Sequence, residues 1–191
     1  MLLRSLIALV CFALLPHSAF AGPPTTRLGG PRVRAQNARI EKYIKDGLRR
    51  SPTMRALVER IEASDVIVYV GTNPLMKSHL SGALSFVTAA GDFRYVRAMI
   101  NADQVPDLMI ATLAHEFQHV VEVIEAPSVV DDNSLVRLYR KIGVESADRR
   151  ETGWETQAAQ ATAAQVRREL VAARTTAVTD VASISLYSRD L

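Results

Sequence analysis

The chain has 191 residues, 23 basic against 20 acidic side chains for a formal charge of +3, and 48% hydrophobic residues. That length and apolar content suit one domain with its own core, and so mild a charge gives no electrostatic case for a nucleic-acid partner. The single cysteine, Cys11, excludes an internal disulfide, a cysteine metal cluster and, because of where it lies, a cysteine nucleophile.

Residues 1–21 read as a secretory signal. Arg4 supplies the positive end, Leu6 to Leu15 the apolar stretch, and Ala19-Phe20-Ala21 a small-x-small site for cleavage after Ala21. Pro16 and the shortness of the apolar stretch argue against a permanent membrane span. Cleavage leaves 170 residues with no cysteine and 22 basic against 20 acidic groups. The expectation is an exported protein, periplasmic or secreted, with no stable membrane span after signal removal. Residues 22–31, rich in glycine, proline and threonine, read as a flexible leader. Residues 32–180 read as a single domain and 181–191 as a C-terminal tail. No repeat or heptad pattern sets an oligomeric state.

From Arg32, the spacing of Val33, Asn37, Ile40, Ile44 and Leu48 predicts a helix, with its basic residues forming a solvated face. Ser51-Pro52 predicts an N-cap and first helical residue for a second helix that buries Met54, Leu57, Val58 and Ile61. Asp65 to Val70 is a β-branched run that predicts a buried strand ended by Gly71-Thr72-Asn73-Pro74. Leu84 to Val87 and Phe93 to Ile100 predict two more strands, joined as a hairpin around Ala90-Gly91-Asp92. In the second, Arg94, Val96, Ala98 and Ile100 share one face. A largely buried helix follows Pro106 and must end before Pro127. Leu135 to Ile142 predicts a short helix closed by Gly143, and a long alanine-rich helix runs from about Thr152 past Arg174. The fold class expected is α+β.

Within the buried helix stands His115-Glu116-Phe117-Gln118-His119. Residues four apart lie on one helical face, so both imidazoles can bind one tetrahedral ion, with Zn2+ the usual guest. Glu116, one position on, lies near the ion without being the partner ligand, which suits a general base. Only four histidines occur, and two fall in this pentapeptide. Burying them with an acid and no partners is costly. His79, ahead of the hairpin, reads as a surface or strand-end residue.

Zinc with an open position for water needs a third protein ligand, and no histidine follows His119. The acidic candidates are Glu122, Glu145, Glu151, Glu155 and Glu169. Glu155 is preferred, placed in the first turns of the long helix where Ala158, Ala159 and Thr162 allow close helix approach. Glu122 shares the histidine face but suits a position behind the ligands or at the rim. Trp154 closes the apolar side or is simply core.

From His115 to about Ala159 the chain resembles the zincin metallopeptidases of the gluzincin type, in which HExxH on one helix is completed by a glutamate further on. It also resembles small exported bacterial HExxH proteins. The resemblance implies a small zincin-like domain: N-terminal helices, a short β-sheet with a hairpin, the HExxH helix and the long C-terminal helix. It implies one zinc ion on His115, His119 and Glu155, and Glu116 as general base. Glu125 and Glu122 replace the histidine and glycine of the metzincin extension, so that pattern fails. Ala159 stands where many gluzincins carry a histidine-orienting aspartate, so that contact must come from backbone carbonyls, Asp148 or Glu151. The activity implied is hydrolysis of a peptide bond in a peptide or protein, with Tyr139, Arg140 and His79 as candidate oxyanion donors and the Phe93 strand as an edge for an extended substrate. The alternative is a non-catalytic, zinc-stabilised exported binding domain, an inactive zincin.

Overall fold

A computed structural model describes residues 30–76, 80–145 and 153–187. The signal reading, His79, Asp148 and Glu151 therefore lie outside the described residues, as does most of the leader. From Pro31 onward the chain forms one unit of α+β architecture.

The first element differs from the helix predicted there. Val33–Ala35 is a strand (β1) lying parallel to Val66–Asn73 (β2), with Val33 opposite Val68. The helix (α1) begins only at Ala38 and runs to Arg50, because Asn37 adopts extended backbone and its side chain accepts from Ile40 N–H at 3.0 Å. An asparagine that satisfies a free N–H at a helix start is worth more there than inside the helix. Ser51 caps the next helix, Pro52–Glu62 (α2), by accepting from Met54 N–H, with Pro52 in the first turn as predicted.

Gly82–Ala90 (β3) and Phe93–Asn101 (β4) form the predicted hairpin, turned at Gly91, whose φ of +57° suits glycine. β3 runs beyond its predicted bounds at both ends, whereas β4 starts as predicted and gains only Asn101. Sheet order is β1-β2-β4-β3, with β1, β2 and β4 parallel and β3 antiparallel. β4 is paired on both sides, so the Phe93 strand offers no free edge; β3 does. This corrects the expected docking edge. Arg94, Val96, Ala98 and Ile100 are all buried on the helix-facing side.

Pro106–Ile124 (α3) crosses the centre of the unit, packed against the sheet on one side and α2 and the last helix on the other. Met109, Ile110, Leu113, Phe117 and Val120 have no exposed surface. Each such side chain contributes roughly 1.5–3 kcal/mol through removal from water. Asp132–Ile142 (α4) starts three residues earlier than predicted, because Asp131 and Ser134 form a reciprocal cap. Val144–Glu145 (β5) pairs with Trp154–Glu155 (β6), and Gln157–Tyr187 (α5) closes the unit. The helical backbone thus includes part of the segment read as a tail. Among the described residues no helix is long and apolar enough to cross a membrane.

Candidate metal centre

α3 carries His115 and His119 one turn apart, and their Nε2 atoms lie 3.1 Å from each other. Glu155 Oε2 lies 3.2 Å from His115 Nε2. One ligand atom from each of the three falls within 4.8 Å of the others, so the cluster can hold a metal ion. The donor set fits: two ligands on a tetrahedral zinc with bonds of about 2.0 Å stand roughly 3.3 Å apart. His115 and Glu155 are at ion-pair distance but off the line of a hydrogen bond. Glu155 Oε2 is left buried with no hydrogen-bond partner, as expected of an atom aimed at something other than its neighbour.

Glu155 arrives by a different route from the one predicted. It is not in the long helix but on β6, one residue ahead of the cap. Thr156 is the cap: its Oγ1 accepts from Ala159 N–H at 3.1 Å, which starts α5 at Gln157 rather than near Thr152. Pairing of β5 with β6 then sets the Glu155 backbone opposite Val144. Gly143 makes the approach possible. A Cβ there would stand 2.8 Å from the Tyr139 carbonyl oxygen and 3.1 Å from that of Glu155.

Glu122 lies behind His119. His119 Nδ1–H donates to Glu122 Oε2 at 2.7 Å, and Thr156 Oγ1–H donates to Glu122 Oε1 at 2.6 Å. The chain Ala159 N–H, Thr156, Glu122, His119 fixes the imidazole tautomer and turns Nε2, with its lone pair, toward His115 and Glu155. An acid on the histidine helix thus fills the role vacated at Ala159. Sequence reasoning placed Glu122 behind the ligands or at the rim but missed Thr156. Its signal was a threonine directly before a glutamine- and alanine-rich run. Tyr139 is committed too: its hydroxyl donates to the His119 carbonyl oxygen at 3.3 Å, and its ring meets the His119 ring edge-on at 5.3 Å. Burial, reinforced by Glu122 and Glu116, raises its phenol above the ordinary value. Arg140 is exposed and outside the site's cleft, and Glu169 is spent on Ser51 and Thr53 at the start of α2. Neither Tyr139 nor Arg140 is positioned as the expected oxyanion donor. Trp154 is half-buried against the core, and Glu145 contributes its backbone to β5.

Glu116 is buried, and its Oε2 has no hydrogen-bond partner. Burial pushes its carboxyl up to about 7, with the two histidines opposing that rise. It fits only because residue 82 is glycine; a Cβ there would collide with Glu116 Oε1 and press on Thr112 Cγ2 at 3.0 Å. Burial lowers the proton affinity of His115, but Glu155 and the nearby Glu116 and Glu122 outweigh it, for a net rise. The His115 ring in turn holds Glu155 below the usual carboxylate range.

His115, Glu116 and Glu155 open into a cleft of about 520 Å3 between α3, α5 and the first residues of β3. Gln104 ties its rim together, donating to the Ser81 carbonyl oxygen at 2.7 Å and accepting from Thr112 Oγ1 at 2.7 Å. Comparison of the chain with protein-family models, curated proteins and solved structures gave no match.

Proposed function

We propose that this protein is an exported zinc-dependent hydrolase of the zincin type, and specifically a metallopeptidase. The observation that carries the reading is the convergence of three ligand atoms beside a buried carboxylate with an unpartnered oxygen, with His115, Glu116 and Glu155 lining one cleft. His115 and His119 would hold the ion through Nε2 and Glu155 through a carboxylate oxygen. An ion held there would polarise a scissile carbonyl and make a nearby water more acidic. Glu116 takes a proton from that water onto its free oxygen and returns it to the leaving amide nitrogen. Glu122 and Thr156 keep His119 in the ligating tautomer throughout.

An extended peptide has a natural place to lie. β3 is one of the two edge strands of the sheet, and Leu80, Ser81 and Gly82 form one lip of the cleft. Unpaired backbone groups of an edge strand bind a chain with little dependence on its side chains.

Metal analysis and turnover of broad peptide mixtures, run on the wild type and Glu116→Gln, test the reading. Both proteins are expected to retain one zinc, with turnover confined to the wild type. Equal turnover by the two sinks the mechanism. A zinc-loaded wild type that cleaves nothing favours a non-catalytic, metal-stabilised binding domain. A metal-free protein of unchanged stability removes zinc from the account altogether.

A further inference from the structure

One wall of the cleft carries a cation. α3 and α5 run antiparallel along it: Gln118 meets Thr162 at 3.4 Å, and Asp107 meets Arg174 at 3.4 Å. Between those contacts Arg167 on α5 stands abreast of the α3 stretch that joins Leu108 to His115, nearer to His115. Gln160, Ala163 and Arg167 recur at helical spacing on the cleft-facing side of α5. Seven residues separate Leu108 from His115 and Gln160 from Arg167, so each wall extends about 10 Å at 1.5 Å per residue.

Arg167 is the unusual group. The cations around it are engaged: Arg168 donates to Gln165, Arg174 pairs with Asp107, and Arg50 pairs with Asp46 and Asp107. Arg167, exposed and lining the cleft, makes no ion pair or hydrogen bond among the described residues. Its guanidinium is free to take a carboxylate through two parallel N–H donors. Ala111 and Ala163, both buried, line the cleft beside it with small apolar side chains.

We propose that Arg167 forms a carboxylate-binding subsite on the α5 wall of this cleft, selecting peptides that carry a carboxylate close to the bond to be cut. The subsite takes its substrate class from the peptidase reading above. A carboxylate of this kind is either an aspartate or glutamate side chain or the free C-terminus of the peptide, and both present the same planar acceptor.

The test measures binding apart from turnover. Labelled decapeptides differing only in aspartate versus asparagine at one scanned position are titrated by fluorescence anisotropy against zinc-loaded Glu116→Gln protein. A second pair differs only in a free versus an amidated C-terminus. The acidic member of at least one pair is expected to bind about fivefold more tightly, the size of a well-formed but solvent-exposed ion pair. Adding Arg167→Gln should erase that ratio, and adding Arg167→Glu should turn the preference toward lysine-bearing peptides. The pair that responds tells side-chain from chain-end recognition. No acidic preference in either pair, or a preference that survives Arg167→Gln, overturns the subsite. Acid-selective binding alongside a wild type that cleaves nothing supports the subsite and removes the peptidase reading. Cleavage without acid selectivity does the opposite.

Discussion

α3 handles buried polar groups in opposite ways at its middle and at its C-terminal end. At the end, Arg94 reaches in from β4 and is almost wholly buried. Its Nη1 donates to the Val123 carbonyl oxygen at 2.7 Å and that of Ala126 at 2.9 Å, while Nε and Nη2 clasp Asp65 at 2.7 and 2.9 Å. A helix leaves its last carbonyls without intrahelical partners, and here a cation fills that need. At the middle, Glu116 Oε2 is left with nothing. Three buried side-chain oxygens among the described residues lack a hydrogen-bond partner, and two of them, on Glu116 and Glu155, belong to the metal centre. Saturated polar groups hold the fold together, and unsaturated ones are available to bind or react.

The sharpest way to separate the two is to neutralise the unsaturated group. Glu116→Gln removes a carboxyl whose ionisation burial already opposes, so its urea midpoint should match or exceed that of the wild type. If Glu116 is the base, turnover should fall by about 10²- to 10⁴-fold in the same protein. A drop in stability as large as the drop in activity would mean that Glu116 is a structural acid after all.

Arg94→Met should give the reverse pattern. It strips the Val123, Ala126 and Val129 carbonyls and Asp65 of their donor; each buried carbonyl left unpaired costs about 1–3 kcal/mol, while Asp65, half exposed, is solvated by water. Urea unfolding at neutral pH reads the loss directly. Zinc affinity, measured at a temperature where the variant remains folded, should stay close to the wild-type value because none of the three ligands is touched.

Glu122 lies between these extremes, being saturated yet in contact with the metal centre. Glu122→Ala leaves His119 Nδ1–H and the Thr156 hydroxyl without an acceptor. Loss of such an orienting contact typically weakens metal binding by about 10- to 100-fold. Competition with a chromophoric zinc chelator measures it. Glu122→Gln, which retains one acceptor oxygen, should lose less; equal losses would mean that bulk rather than hydrogen bonding is what Glu122 supplies.

This contrast also marks where the sequence is readable. The spacing of His115 and His119 sufficed to put them on one face of a buried helix, and alternation in the Phe93 strand put Arg94 on one face with Val96, Ala98 and Ile100, without saying that this face is the buried one. Neither pattern reveals a buried side chain's partners, because Asp65 lies 29 residues from Arg94 and Thr156 lies 34 from Glu122. Glu155 was chosen from the needs of coordination and placed on the wrong element, because alanine richness marks a helix's interior while its start is set by one hydroxyl, that of Thr156. Val33 was misplaced for a related reason: one strand turn and one helical turn can share the same apolar spacing until a capping asparagine divides them. The glycine at 82 carried no local signal, and that at 143 read only as the end of a helix. Their meaning lies in what approaches them, Glu116 in one case and the β6 backbone in the other.

The smallest effect should appear in acid, at the saturated end. Hydrogen bonds from Arg94 hold the Asp65 carboxyl below its ordinary value, against an opposing effect of partial burial. The folded protein therefore releases the Asp65 proton more readily than the unfolded chain, whose aspartates titrate near about 3.9. The pair's contribution is fully present above that unfolded value and is lost as pH falls through the lower, folded one. Asp65→Asn removes this titration while leaving Arg94 one acceptor oxygen. Its stability should therefore change less steeply than that of the wild type between about pH 5 and pH 2, with the two curves converging at the acid end. Because the Asp65 side chain is 46% exposed, water screens the pair and the difference in slope should be modest. Urea titrations at half-unit pH steps would show it; parallel curves across that window would mean that Arg94 is held by the α3 carbonyls alone.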